Sequence, residues 1–363
     1  MSSKRLDFIS QMVKKSRLAE RVTMGARVAA VATGDILRGM LDRAVEPSNG
    51  THRPHGIDDP VEPSTTRSSL ADHLGKLVEK RLDQLSRNRN FKTADDPVEA
   101  VHDLRVASRR LRAFVDVFRP LLDTDVYEST EKPLRRITRA ARSLRDLDIH
   151  EKLLVDQIDK AASDAERAAL EHLLEALELG RTRAERRAEK RVGKVDFSEL
   201  QVSVSAALGE TVARLPHDPE GTAALAGKLI EPLIEQAARD RPADDGLEYP
   251  DEMHQLRIDL KKLRYGLELF EPTFGNRYSE LYECVEKLQD LLGRHHDLVV
   301  LCDVVERQAE KLRRKDRQTL LVGLDTLHTE LMRERRELLA RYRTEGFEPP
   351  WWESSVRNAL TGA

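Results

Sequence analysis

Two short runs of histidine, arginine and lysine hold most of the chemistry this chain offers. The first places His102, Arg105, Arg109 and Arg112 at intervals of 3, 4 and 3 residues, and His254, Arg257, Lys261 and Arg264 repeat the intervals 152 residues later. At about 100° per residue, such spacing gathers each set within roughly 80° of arc on one helix. At about 1.5 Å rise per residue, each row is roughly 15 Å long. An arginine fork donates two parallel hydrogen bonds to a phosphate. A histidine in the row donates to an oxygen, and its cationic neighbours favour the neutral imidazole until an anion binds. An ordinary solvated helix face alternates its signs to gain i,i+4 pairs. These rows carry no acid on their own arc, and they occur twice. The chemistry expected of them is the gripping of one polyanion between two cationic faces.

A second set of cations accompanies the first row. Lys132, Arg135, Arg139 and Arg142 share an arc, Arg145 follows one turn on, and Leu134, Ile137, Ala141 and Leu144 lie beside them. The later copy is less basic, with Asp290 at the place of Arg139 and Gly293 at that of Arg142. Arg294, His295 and His296 stand close by and are expected to compensate. The candidate anion-binding residues are therefore His102, Arg105, Arg109, Arg112, Arg135, Arg139, Arg142, Arg145, His254, Arg257, Lys261, Arg264, Arg294 and His295. Arg110 points away from the row and from the apolar arc of Leu104, Leu111, Val115 and Phe118, and Lys262 lies on the opposite arc of its own helix. Reversing the two is expected to cost anion binding much less than reversing row residues.

The elements that must carry these rows are helices. The pattern predicts them at about 69–90, 97–119, 126–160 and 164–194, with a connecting helix near 199–214, and again at about 222–240, 251–271, 277–312 and 316–345. Pro120 and Pro272 act as stop signals after the charged helices, and Asp96-Pro97 and Pro250-Asp251 open them. The repeat extends beyond the rows: Phe118 falls on Phe270, Leu134–Asp146 on Val285–Asp297 at an offset of 151, and Glu185-Arg186-Arg187 on Glu334-Arg335-Arg336 at 149. A drifting offset is what changes in loop length produce. The predicted fold is all-α, a tandem duplication of two antiparallel four-helix bundles with pseudo-twofold symmetry around a basic central channel. Residues 1–45 form an N-terminal helical arm, 46–67 a Pro/Gly/Ser/Asp linker, 68–348 the duplicated domain (repeats at about 68–196 and 220–348) and 349–363 a tail.

Composition fits this reading. Charged residues make up 34% of the 363 and aromatics 4%, yet the formal net charge is only −3. The positive charge is local: residues 102–145 hold 11 Lys/Arg against 6 Asp/Glu, a net of +5. A focused patch on a near-neutral protein suits a specific polyanion better than general adhesion. Cys284 and Cys302 form neither a disulfide framework nor a zinc spacing, which points to a cytoplasmic setting. Arg27, Asp35 and Arg38 interrupt the best apolar stretch, so no membrane span is expected, and Lys4-Arg5 is not followed by an apolar run, so no signal peptide is expected.

The His-x-Leu-Arg-x3-Arg-Arg-Leu-Arg-x5-Phe pattern of 102–118, its copy at 254–270 and the Leu288-Gln-Asp-Leu-Leu-Gly-x3-Asp297 segment resemble the CHAD domain, the conserved histidine α-helical domain. The resemblance covers roughly 68–348. It implies two four-helix bundles around a basic channel, inorganic polyphosphate as the ligand, and association with polyphosphate or storage granules. That family often sits beside a triphosphate-tunnel domain marked by Glu-x-Glu-x-Lys, and no two glutamates here stand two apart. Three other readings compete. A metal site at His295-His296-Asp297 is disfavoured because adjacent helical histidines point about 100° apart. Nucleic acid shares the electrostatics, but no stacking aromatics are expected near the rows, leaving it a weak competitor. A phosphate-handling enzyme would need an acidic pair or nucleophile on the same arc. No cofactor and no catalytic residue is expected.

Overall fold

The computed structural model describes residues 65–242, 250–344, 354 and 356–358. The expected arm (1–45) and most of the linker (46–67) lie outside the described residues, as does most of the tail. The chain divides into two compact units. One is Met1–Val61 with Val155–Lys160, and only the latter stretch of it is described. The other is Glu62–Leu154 with Ala161–Ala363, and all that follows concerns it.

The described residues are helical and contain no strand. In chain order the helices are α1 (Thr65–Asn88), α2 (Pro97–Val117), α3 (Thr124–Ile158), α4 (Asp164–Val192), α5 (Phe197–Ala213), α6 (Pro219–Arg239), α7 (Pro250–Leu269), α8 (Glu271–Phe274), α9 (Tyr278–Arg313) and α10 (Gln318–Thr344). The expected boundaries hold within a few residues. The exceptions are the start of α1, inside the expected linker, and the short α8. Local chemistry explains most of the starts. Asp96 accepts from the N–H groups of Val98 and Glu99 ahead of Pro97, and Asp196 and Asp218 cap α5 and α6 in the same way. Ser163 accepts from Glu166 N–H at the start of α4, and the Glu166 carboxylate reaches back to Ala162 N–H just ahead of the helix, so the two groups fix the entry reciprocally. Gly275, at φ +54°, ends α8 in a conformation that only glycine adopts freely.

Packing follows the apolar arcs. Leu104, Leu111, Phe114, Val115 and Phe118 of the α2 segment are fully buried, as are Leu134 and Ile137 of α3 and Leu260, Leu263 and Leu267 of α7. One pairing recurs in both copies, α1 on α2 as α6 on α7, and three helices meet the helix equivalent to them in the sequence repeat: α1 meets α6, α2 meets α7 and α4 meets α10. Phe118 and Phe270, equivalent in the repeat, touch each other with ring centroids 5.4 Å apart. The α4–α10 crossing is close enough to demand a glycine: a Cβ at Gly323 would lie 2.1 Å from the Ala165 carbonyl oxygen.

Candidate functional site

Because α2 and α7 lie side by side, the two rows meet. Lys261 is the centre of the arrangement. It is only 8% exposed, and burial together with the charges of Arg109, Arg257, Arg105 and Arg264 pushes its amine down to about 5. Burial lowers Arg105 to about 10, helped by Arg109 and Arg145. Arg109 is lowered by burial and then by Arg264, Arg142 and Arg112, with Tyr265 opposing them. Arg257 is lowered by burial, Arg109 and Arg142, against the carboxylates of Asp297 and Asp146. Cations of α2, α3 and α7 therefore act on one another at short range. Among the described residues, Arg105, Arg109, Arg139, Arg145, Arg257 and Lys261 form no ion pair. A protein that buries a cation usually provides a matching anion. Here, among the described residues, no carboxylate is paired with these cations, and Asp146 and Asp297 act on Arg257 only from beyond ion-pair distance.

The histidines complete the cluster. His254 stacks on His296 with centroids 4.0 Å apart and an interplanar angle of 26°. Burial and the charges of Arg257, Arg142 and Lys261 lower His254, and burial, Arg257 and His254 push His296 down to about 3. Both rings are thus neutral around pH 7, with His254 Nδ1 and Arg257 Nε buried and lacking a hydrogen-bond partner. His102 is lowered by burial and Arg145. Gly293 faces this site: a Cβ there would lie 3.7 Å from Arg257 Nε, an ordinary contact, so the guanidinium lies close against α9.

Two expected site residues face elsewhere. His295 is 1% exposed beside Arg335 of α10 and is lowered to about 4, chiefly by burial. Arg294 donates to Glu334 of α10 at 2.8 Å. Adjacent helical positions differ by about 100°, so turning His296 toward His254 necessarily turns His295 away. The signal for His296 in the sequence is its register: at the offset of 151 it stands at the place of Arg145. Among the described residues, no group of three or more His, Cys, Asp or Glu side chains is placed to hold a metal ion.

Other expected ligand residues have carboxylates of their own, each from a different helix or turn. Arg112 pairs with Glu131 at 3.1 Å, and Arg135 with the same carboxylate at 3.5 Å. Arg264 pairs with Glu286 at 3.0 Å, and Arg142 stands 3.7 Å from Asp146. The outer ends of both rows are therefore partly neutralised. Arg110 and Lys262, placed off the rows, have carboxylate partners of their own. Arg110 donates to Glu268 of α7 at 2.9 Å, Arg81 of α1 approaches the same carboxylate at 3.6 Å, and His73 binds the Glu268 carbonyl at 2.8 Å. Lys262 pairs at 2.7 Å with Asp259, a buried carboxylate. Aromatic rings were not expected near the rows, yet Tyr265 and Tyr282 flank Arg264 with centroids 5.9 and 5.5 Å from its guanidinium carbon.

A family model described as the CHAD domain matches residues 76–306. Solved structures share the fold. A CHAD domain from the plant Ricinus communis is 20% identical, with a TM-score of 0.50 over 81% of this chain and 92% of that one. PptA from Streptomyces chartreusis is 20% identical, with a TM-score of 0.52 over 78% of this chain and 98% of its own. No curated protein matches the chain by sequence.

Proposed function

The chain belongs to the CHAD domain family, and we propose that it binds inorganic polyphosphate in a basic channel shared by two four-helix repeats. In this reading α1–α4 and α6–α10 are the two repeats, and the rows of α2 and α7 are opposite walls of one channel. The observation that carries it is the buried Lys261, set among Arg105, Arg109 and Arg257 with no carboxylate paired to any of them. A linear polyanion satisfies all of them at once. It presents phosphates in series, matching cations repeated along helices, and each contact raises the effective concentration of the next. Small anions reach only part of the set.

The protein is a binder rather than a catalyst in this proposal, and attachment to polyphosphate or storage granules would follow from it. No helix among the described residues is long and apolar enough to cross a membrane. One observation favours a second reading, a phosphate-handling enzyme. Asp146 and Asp297 both act on Arg257, and burial raises Asp297. Release of orthophosphate from polyphosphate on incubation with the protein would support that reading.

A panel of long-chain polyphosphate, tripolyphosphate, ATP, RNA and heparin at two salt concentrations tests the proposal. Long-chain polyphosphate should bind most tightly and ATP weakly. By analogy with single-stranded nucleic acid, the log–log salt slope should be about −0.7 per phosphate neutralised, several units in total. Equal affinity for ATP and long chains, or a flat salt response, would overturn it.

A further inference from the structure

The first repeat carries a second cationic feature, which shares Arg135 and Arg139 with the expected site and extends beyond it. Lys132, Arg135, Arg136 and Arg139 of α3 line a groove of about 550 Å3 with Arg191 and Lys194 at the end of α4. Lys132 and Arg135 have carboxylates one turn back, Glu128 and Glu131. Arg136, Arg139, Arg191 and Lys194 form no ion pair among the described residues, and no acid lines the groove. Arg136 donates to the Lys194 carbonyl at 3.1 Å, which ties the two walls together. The C-terminal dipole of α4, worth about half a negative charge, is too small to account for so many cations.

The repeat supplies an internal control. At offsets of 151 and 149, the matching positions in the second half are Glu283, Glu286, Lys287, Asp290, Ala340 and Arg343. Six cations face three acids and two cations, a formal +6 against −1. A generic solvated face would have no reason to differ so sharply between copies of one unit. The groove also adjoins the central cluster. Arg139 lies one turn, about 4.5 Å along the axis, from Arg142, whose charge acts on His254, His296 and Arg257.

We propose that this groove is an outer subsite that receives the overhang of a polyphosphate chain seated in the central cluster, so that the chain leaves the fold over the first repeat and not over the second. The inference rests on the polyphosphate reading above. It makes the binding site one-sided and ties affinity to chain length: a long chain reaches the groove, whereas a short one ends within the cluster.

The test uses the full chain with Arg136→Gln, Arg191→Gln and Lys194→Gln combined. All three side chains are exposed, and none belongs to the central set. A second triple variant, Arg313→Gln, Arg314→Gln and Lys315→Gln, removes equal charge at the far end of α9. Long-chain polyphosphate should bind the groove variant at least fivefold more weakly, with a salt slope shallower by up to about 2. Its affinity for tripolyphosphate should change less than twofold, and the α9 variant should match the unaltered protein for both probes. Unchanged long-chain affinity in the groove variant would overturn the subsite. So would equal weakening of both probes, or equal losses in the two variants. Failure of the unaltered protein to bind either probe would instead overturn the polyphosphate reading, and the subsite with it.

Discussion

Two clusters of cations lie within a few helical turns of each other on α2 and α7, and they differ in one respect. Around Glu268, Arg110 and Arg81 meet a carboxylate, and His73 meets a carbonyl. Around Lys261, Arg105, Arg109 and Arg257 crowd one another with no carboxylate in ion-pair contact, and Asp146 and Asp297 offset them only in part from farther off. Both clusters are partly buried and both join the two halves of the chain. In the first, the charges hold the fold together. In the second they work against it, because like charges are desolvated side by side. In a chain with this many charged residues, the number of cations therefore says little about function. Whether each cation has a partner separates scaffold from site.

The sharpest way to break this comparison is to reverse the unpaired cations. Arg105→Glu with Arg109→Glu, or Arg257→Glu with Lys261→Glu, should each weaken long-chain polyphosphate binding by at least tenfold. Each charge-assisted contact is worth roughly 1.5–3 kcal/mol, and tenfold is about 1.4 kcal/mol. All four together should nearly abolish binding while circular dichroism stays helical. If one half-variant binds normally, the rows are not walls of one site.

Next in size is a dependence on pH. Lys261 is held at about 5 in the free protein, and His254 and His102 lie below their ordinary values. A bound polyanion restores them toward those values, so binding takes up protons. Affinity should rise as pH falls from 8 toward 5, by up to about tenfold per pH unit for each proton taken up. The contribution of Lys261 should level off below about 5, where the lysine is charged in both states. Calorimetry in buffers of different ionisation enthalpy reads the uptake directly, and net proton release on binding would contradict the picture.

The paired cluster should respond in the opposite sense. Arg110→Ala leaves the half-buried Glu268 carboxylate with only the more distant Arg81 and should cost about 1–3 kcal/mol of stability in denaturant titration. Polyphosphate affinity of the folded protein should barely move. Lys262→Ala should behave likewise, since it leaves the buried Asp259 with Gln255 as its nearest donor. A loss of binding without a loss of stability would place both residues in the site after all.

The smallest expected effect is a gain. Lys261 loses a proton on folding below its ordinary value of 10.5, and this costs stability at neutral pH. Lys261→Met removes that cost and should raise Tm by about 2 °C or more, an advantage that vanishes above pH 10.5, while polyphosphate binding weakens. A lower Tm at pH 7 would mean that Lys261 has a stabilising partner.

Much of this was already decided along the chain. Helix propensity, caps and apolar spacing are local, so α2, α3, α7 and α9 and their buried arcs could be read from residue order. The duplication and the row from His102 to Arg112 were equally legible, because spacing on one helix fixes which side chains share a face. Partners on other helices were not legible. Glu131, Glu286, Glu268 and Glu334 take Arg112, Arg264, Arg110 and Arg294 out of the unpaired set, and no periodicity foretells which carboxylate will be within 4 Å of which cation. The rotation of α9 likewise decides that His296 and not His295 stacks on His254. Helix geometry is set by neighbours in sequence, whereas the pairing and burial of a charge depend on how whole helices pack.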